Sequence, residues 1–379
     1  MEELAGKEID WQAHFDRHIA GCWLPRAVDA VNGGFHQTYA EDWSSLPDTS
    51  RSLVYHARMI WLAASAGMTE IADKGCKELW EKFWDPNYGG FVWKTSLDGK
   101  ITDPEKHMYG NAFAVFALAK AGKNWDADWA FQWMDLHAHD DVNGGYVETC
   151  WSDGEQNLTT DGKDALGTPY GLKSMNTHLH ILEALIELYN QTGDDKVRTR
   201  LREVLALFHT KFVTSDGKLF YYVTQDYNQA SDVDSYGHAL ETAFLMIEAA
   251  YYVDDHVDET WVLAKALVDR SISVGWDAVH GGVFNEGHFD QSAHDRQKIW
   301  WVQAESFNVL RLMALQYGEP YASLRDKQWA FIERFMIDEE HNGWRPTLKE
   351  NGSPIPGTNK SDAWTEGYHQ GRSVLLARP

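Results

Sequence analysis

A unit of about sixty residues repeated six times, carrying two alternating kinds of helical segment, predicts an all-α ring: an (α/α)6 toroid with short β-hairpins at one rim. The repeat is marked by glycine turns at Asn32-Gly33-Gly34-Phe35, Tyr88-Gly89-Gly90-Phe91, Asn143-Gly144-Gly145-Tyr146, Asp216-Gly217-Lys218-Leu219, His280-Gly281-Gly282-Val283 and Asn342-Gly343-Trp344. Their first glycines are 56, 55, 73, 64 and 62 residues apart. Such a period is one supersecondary unit copied around a ring or along a solenoid.

The segment before each turn reads as an amphipathic helix. In 196–213, Val197, Leu201, Val204, Leu205, Phe208 and Phe212 recur at helical spacing among charged residues, and 69–84 places Cys76, Leu79 and Phe83 on one stripe. The helix after each turn is apolar nearly all round. Segment 235–253 has only Glu241 and Glu248 as charged residues, and 110–119 has none. One set is wetted on one face and the other is buried on all sides, which makes an outer and an inner ring. The aromatic and β-branched residues after the turns (Phe91-Val92-Trp93, Tyr146-Val147, Phe220-Tyr221-Tyr222-Val223) predict short strands at one rim. An open solenoid is the competing arrangement. Closure is favoured because the last inner segment, 362–378, carries site-like residues where a solenoid would place a polar cap.

No linker or composition break interrupts the repeat, so residues 1–379 read as one domain. Lys and Arg number 34 against 57 Asp and Glu, a formal charge of −23, which argues against nucleic acid and anionic membranes as partners. The acidic N-terminal segment 1–8 lacks the apolar core of a signal peptide, and no run approaches a membrane span. Cys22, Cys76 and Cys150 are odd in number and without a CxxC, which predicts buried free thiols in a reducing cytoplasm. The oligomeric expectation is a monomer or a homodimer.

Polar residues gather where the inner segments open. These are Arg51 in the first and Lys106, His107, Tyr109 and Asn111 in the second; the third has Asn176, His178 and His180. The fourth has His238 and Glu241, the fifth Trp300, Trp301 and Glu305, and the sixth Trp364, Glu366 and His369. Asn176 and His180, His238 and Glu241, and Trp301 and Glu305 stand at i,i+3 or i,i+4, so each pair shares a helix face. His178 and His180 diverge by about 200° on a helix and cannot both face one funnel, so His178 reads as structural and His-x-His as no metal site.

The runs Lys173-Ser174-Met175-Asn176-Thr177-His178-Leu179-His180, Gly237-His238-Ala239-Leu240-Glu241, Trp301-Val302-Gln303-Ala304-Glu305 and Trp364-Thr365-Glu366-Gly367-Tyr368-His369 resemble the inner helices of the N-acylglucosamine 2-epimerase superfamily, most of all its cellobiose and mannose 2-epimerase members. The resemblance implies a cofactor-independent sugar 2-epimerase that opens an aldose and removes the C2 proton. The resulting cis-enediolate is reprotonated on the opposite face, so no metal or redox group is required. By this analogy His369 and His238 are the two bases, Arg51 steadies the enediolate, and His180 is a second donor and ring-opening group. Tyr109, Asn176, Glu241, Glu305, Trp301 and Trp364 bind hydroxyls, stack on the sugar or orient the histidines. Reprotonation at C1 would make the same site an aldose–ketose isomerase. A glycoside hydrolase built on Glu241 and Glu305 is the more distant alternative, because it leaves the histidines without roles.

Overall fold

Each glycine turn lies where the chain crosses from the outer ring to the inner one, and that crossing organises the whole molecule. The computed structural model describes residues 9–378; the acidic segment 1–8 lies outside the described residues. Outer helices are α1 (11–23), α3 (Thr69–Phe83), α5 (Asn124–Ala138), α7 (195–212), α9 (Val257–Gly275) and α11 (321–336). Inner helices are α2 (Leu53–Ser65), α4 (Met108–Lys120), α6 (Met175–Thr192), α8 (Tyr236–Val253), α10 (Trp300–Tyr317) and α12 (Tyr368–Ala377). From α2 onward, each inner helix runs into the next outer one through two or three residues. The return from outer to inner is long and carries the turn. All long connections therefore gather at one rim, beside the N-termini of the inner helices.

The two rings differ in burial as their patterning requires. Val197, Leu201, Val204, Leu205, Phe208 and Phe212 of α7 are buried on one stripe, as are Cys76, Leu79 and Phe83 of α3. In α4 every residue from Met108 to Ala119 is buried. The three cysteines are buried free thiols.

Strands join neighbouring units. The two or three residues before an inner helix pair antiparallel with residues beyond the following turn: β1 (Arg51–Ser52) with β2 (Lys94–Thr95), which also pairs β3 (Ile101–Asp103), and β4 (Lys106–His107) with β5 (Thr149–Cys150). The same holds for β6 (Leu172–Ser174) with β7 (Tyr222–Thr224), β8 (Val233–Ser235) with β9 (Glu286–His288), and β10 (Lys298–Ile299) with β11 (Thr347–Leu348). The sixth pairing closes the ring. Tyr39 N donates to Ser361 O at 3.0 Å and Lys360 N to Tyr39 O at 2.9 Å, and α12 packs between α10 and α2. The strands begin a little later than their sequence suggested. Phe91 and Tyr146 make single bridges back to Trp84 and His139, and the ladders form only once the chain has left the turn.

Two positions recur by register, and both are structural. The residue two before the helix is a buried cation holding the aspartate that opens the turn: Arg51 with Asp29 (2.5 Å), Lys106 with Asp85 (3.0 Å), Lys173 with Asp140 (2.7 Å) and Lys298 with Asp277 (3.1 Å). Lys360 with Asp338, at 2.6 Å, is the sixth unit's copy. In α4, α6 and α10 the fourth helical residue clamps the residue after Gly-Gly. Asn111 accepts from Phe91 N (2.9 Å) and donates to Phe91 O (3.0 Å), while Gln303 treats Val283 alike. His178 accepts from Tyr146 N (3.1 Å) and is hydrogen-bonded to Ser174 O, in keeping with the structural role expected of it. The fourth unit departs throughout. It has one glycine at its turn, Asp234 in the cation position paired with Arg270, and Ala239 where the clamp would be.

Candidate active site

A cavity of about 350 Å³ opens among the N-termini of the inner helices. Register explains its lining. The sixth residues of α2, α6 and α8 are Arg58, His180 and Glu241, and all three face it. The second residues of α4, α6 and α10 are Tyr109, Asn176 and Trp301, one turn nearer the mouth, and these face it too. The i,i+4 relation puts both sets on one helix face. The second residue of α8 is Gly237, where a Cβ would lie 2.6 Å from the Trp301 ring, so its glycine is what lets that indole lean into the site.

His238, His369 and Trp364 complete the predicted residues that line the cavity. Both histidines pack against the Trp301 indole, with ring centroids at 4.6 Å (His238) and 5.7 Å (His369). Trp364 and Glu366 precede α12, because that helix starts at Tyr368 and not at 362. Glu305 does not reach the cavity. It is wholly buried behind His369 and takes its Nδ1 at 2.8 Å. His238 Nδ1 is instead held by Ser235 Oγ at 2.7 Å. With Nδ1 engaged in both, Nε2 is the nitrogen left to face a bound molecule.

Arg51 is a correction. It lies in β1, outside the cavity lining, with its guanidinium committed to Asp29 at 2.5 Å and Asp48 at 2.8 Å. It is the first unit's copy of the structural cation that is lysine in four others. The arginine that lines the cavity is Arg58, whose Nη1 bonds Glu366 at 2.9 Å and whose Nη2 bonds the Tyr109 hydroxyl at 2.9 Å. Its signal was in the sequence, since it shares helix position six with His180 and Glu241. Tyr221, against the His238 ring at 5.4 Å, and Leu166 and Thr168 of the 151–171 connection also line the cavity without having been foreseen. That connection has no helical period to read. It is tied down by Asp164, which takes His107 Nε2 at 2.9 Å and the Thr168 backbone N–H at 2.8 Å.

Burial controls the charge states. It lowers His238 to about 3, with His180 adding to the fall, and it lowers His180 itself against the pull of Glu183. His369 is pushed well down by burial and by the Arg58 and Arg372 charges. All three imidazoles are therefore neutral in the free protein. Burial and the neighbouring Glu305 raise Glu241 to about 8, far above the usual carboxylate range. Asn176 Oδ1, Glu241 Oε2 and Trp300 Nε1 are buried without a protein partner, and all three residues line the cavity. Such groups are satisfied by a polyhydroxylated ligand or by water.

Three trios of ligand-type side chains occur among the described residues: His107–Glu148–Asp164, Glu241–Glu305–His369 and Asp277–His280–Glu350. Each already serves the protein. Arg372 lies 2.6 Å from Glu241 and 2.8 Å from Glu305, Lys298 holds Asp277, and Glu148 takes Ser174 and Thr177 while Asp164 takes His107. The site therefore offers bases, a cation and hydroxyl partners, but no set of free metal ligands.

A helical toroid whose central cavity carries paired histidines, an arginine and aromatic faces defines a carbohydrate-active enzyme of the epimerase and isomerase class. The chain belongs to the N-acylglucosamine 2-epimerase (GlcNAc 2-epimerase) family, whose model it matches over residues 33–371. It is 27% identical to a cellobiose 2-epimerase of Bacteroides fragilis, covering 99% of each chain. It is also 27% identical to a D-mannose isomerase of Marinomonas mediterranea, covering 94% of this chain and 93% of that one. The solved cellobiose 2-epimerase of Spirochaeta thermophila superposes with a TM-score of 0.85 at 28% identity, over 96% of this chain and 94% of that one.

Proposed function

We propose that this protein is a carbohydrate 2-epimerase that acts on the glucose or mannose unit at the reducing end of its sugar, as the names of its relatives suggest. The observation that carries the reading is the pair of cavity-lining histidines, His238 and His369, both against the Trp301 ring and each with Nδ1 engaged so that Nε2 is left for the sugar. Inverting a carbon needs a base on each of its faces, and imidazole can both take and give a proton near neutral pH.

His180, paired with Glu183 at 3.0 Å, assists opening of the hemiacetal to the aldehyde. His369 Nε2 then takes the C2 proton. The C2–H electron pair becomes the C1=C2 bond of a cis-enediolate, and the carbonyl pair moves onto O1. Arg58 supplies the fixed cation for that charge, the role first assigned to Arg51, and Tyr109 stands beside it. The enediolate's charge raises the proton affinity of His238, which takes a proton from water on Nε2 and delivers it to the other face of C2 as the O1 pair re-forms the carbonyl; His369 then gives its proton back to water. Trp301 and Trp364 hold the sugar ring, while Asn176 and Glu241 take its hydroxyls.

Incubation with glucose, mannose, N-acetylglucosamine and cellobiose in D2O, followed by NMR, tests this. Deuterium enters C2 with inversion on at least one of these sugars. A ketose product moves the reaction to the isomerase reading, and absence of exchange on all four overturns both. His369→Ala and His238→Ala each lower turnover on the order of 10²–10⁴-fold in folded protein. A variant that keeps its rate removes that histidine from its role.

A further inference from the structure

Beneath the cavity floor, Arg372 of α12 joins groups that come from three other inner helices. Its Nη1 bonds Glu183 of α6 and, at 2.7 Å, the Tyr368 hydroxyl, which itself donates to Glu183. Its Nη2 lies 2.6 Å from Glu241 of α8 and 2.8 Å from Glu305 of α10. Two of those carboxylates each hold a histidine: Glu183 holds His180 Nδ1 at 3.0 Å, and Glu305 holds His369 Nδ1 at 2.8 Å. One guanidinium thus stands behind both histidine–carboxylate pairs, and its fork fixes where each carboxylate can sit.

We infer that Arg372 is a positioning residue shared by the two chemistries of the site, aiming His180 for ring opening and His369 for C2 proton transfer through Glu183 and Glu305. This rests on the roles proposed above for the two histidines. It goes further by tying both steps to one side chain that touches neither sugar nor cavity. A point charge would satisfy the three carboxylates electrostatically. Only a planar fork can bond two of them through separate nitrogens in fixed directions, and lysine cannot reproduce that.

The supporting direction is clear at Glu183. Burial would raise its carboxyl, yet Arg372, with the hydrogen bonds of His180 and Tyr368, holds it at about 2. Glu183 therefore stays an anion, which fixes the His180 proton on Nδ1 and leaves Nε2 as the acceptor.

The test separates charge from geometry and measures two rates on one sugar. Anomer interconversion reads ring opening, and deuterium entry at C2 reads proton abstraction. Arg372→Lys keeps the charge, so it should unfold near the wild-type denaturant midpoint while both rates fall on the order of 10²-fold and KM stays within about threefold. His369→Ala should stop C2 exchange alone. Wild-type values of both rates in folded Arg372→Lys, with His369→Ala inactive, overturn the shared role and leave the reading of the site intact. C2 exchange persisting in His369→Ala instead overturns that reading, and the inference with it. If Arg372→Lys does not fold, Glu183→Gln decides: it should slow anomer interconversion more than C2 exchange, and equal rates for wild type and variant overturn the proposal.

Discussion

Arg51→Lys and Arg58→Lys are one chemical change with two expected outcomes. At position 51 the chain needs a buried cation against Asp29, and four other units meet the same need with lysine at 3.1 Å or less. Arg51→Lys should therefore cost no more than about 1–2 kcal/mol and leave kcat unchanged. Arg51→Ala, which strands Asp29 and Asp48, should cost about 3–5 kcal/mol. Arg58 bonds Glu366 through one nitrogen and Tyr109 through the other, and a lysine cannot do both. Arg58→Lys should lower kcat about 10²-fold or more while the protein stays folded. Denaturant midpoints and kcat for the three variants check the pair of statements; loss of kcat in Arg51→Lys would return that residue to the site. The sequence displays both arginines equally. Proximity to the turn favours Arg51, whereas counting along the helix favours Arg58, and the count is the physical criterion because orientation follows rotation about the helix axis. His180, His238, Glu241 and His369 were legible because their motifs sit inside regular helices. Thr168 and Tyr221 were not, because they reach the cavity from irregular connections whose path depends on tertiary bonds such as His107 to Asp164.

At the level of the element, the inner helices divide their labour by position. The second residue lines the cavity in α4, α6, α10 and α12 and the sixth in α2, α6 and α8, while the fourth grips the turn of its own unit in α4, α6 and α10. Asn111 shows the second function most cleanly, because its amide pairs with both the N–H and the C=O of Phe91 as a neighbouring strand would. Asn111→Leu leaves both backbone groups buried and unpaired, at about 1–3 kcal/mol for each group. Urea unfolding should register that loss, and turnover per folded molecule should be unchanged because Asn111 does not line the cavity. A midpoint equal to wild type would mean the clamp carries no weight. The same division explains the fourth unit. Leu219 makes the bridge to Val213 that Phe91 and Tyr146 make in their units, but Ala239 at position four has no polar group to clamp it, and the helix displays His238 at position three. Position three is off the common face by one residue, and from there the His238 ring packs tilted against the Trp301 ring at 4.6 Å. Strand boundaries were the least legible feature, since a two-residue strand is set by its partner in the next unit and not by its own composition.

For the whole molecule, ring closure was legible as a period and a pattern of burial, but its covalently distant partners were not. Tyr39 and Ser361 meet only because six units complete the circle. Folding also buries ionisable groups, which sets how the fold answers to acid. His14, His56 and His178 are lowered by burial to about 3, 4 and 3. Below the unfolded value of about 6.5 the unfolded chain takes up protons that the native chain refuses, so stability falls with pH. Glu148 and Glu241 are raised by burial to about 7 and 8, and they act in the opposite sense. Between their unfolded value near 4.3 and those raised values the native chain binds the extra proton, so acidification favours folding in that window only. Near pH 4.3 this compensation ends, because the unfolded carboxyls are then protonated as well. Below it only losses remain: the buried histidines, and carboxylates such as Glu183, and Asp29 against its turn amides, both held at about 2. The urea midpoint should therefore change little from pH 7 to pH 5 and fall steeply from about pH 4.3 downward. His178→Asn, which removes one such histidine while keeping an acceptor for the Tyr146 N–H, should soften the fall. A midpoint at pH 3.5 equal to that at pH 6 would show that the buried imidazoles and paired carboxylates do not govern the acid limit of this fold.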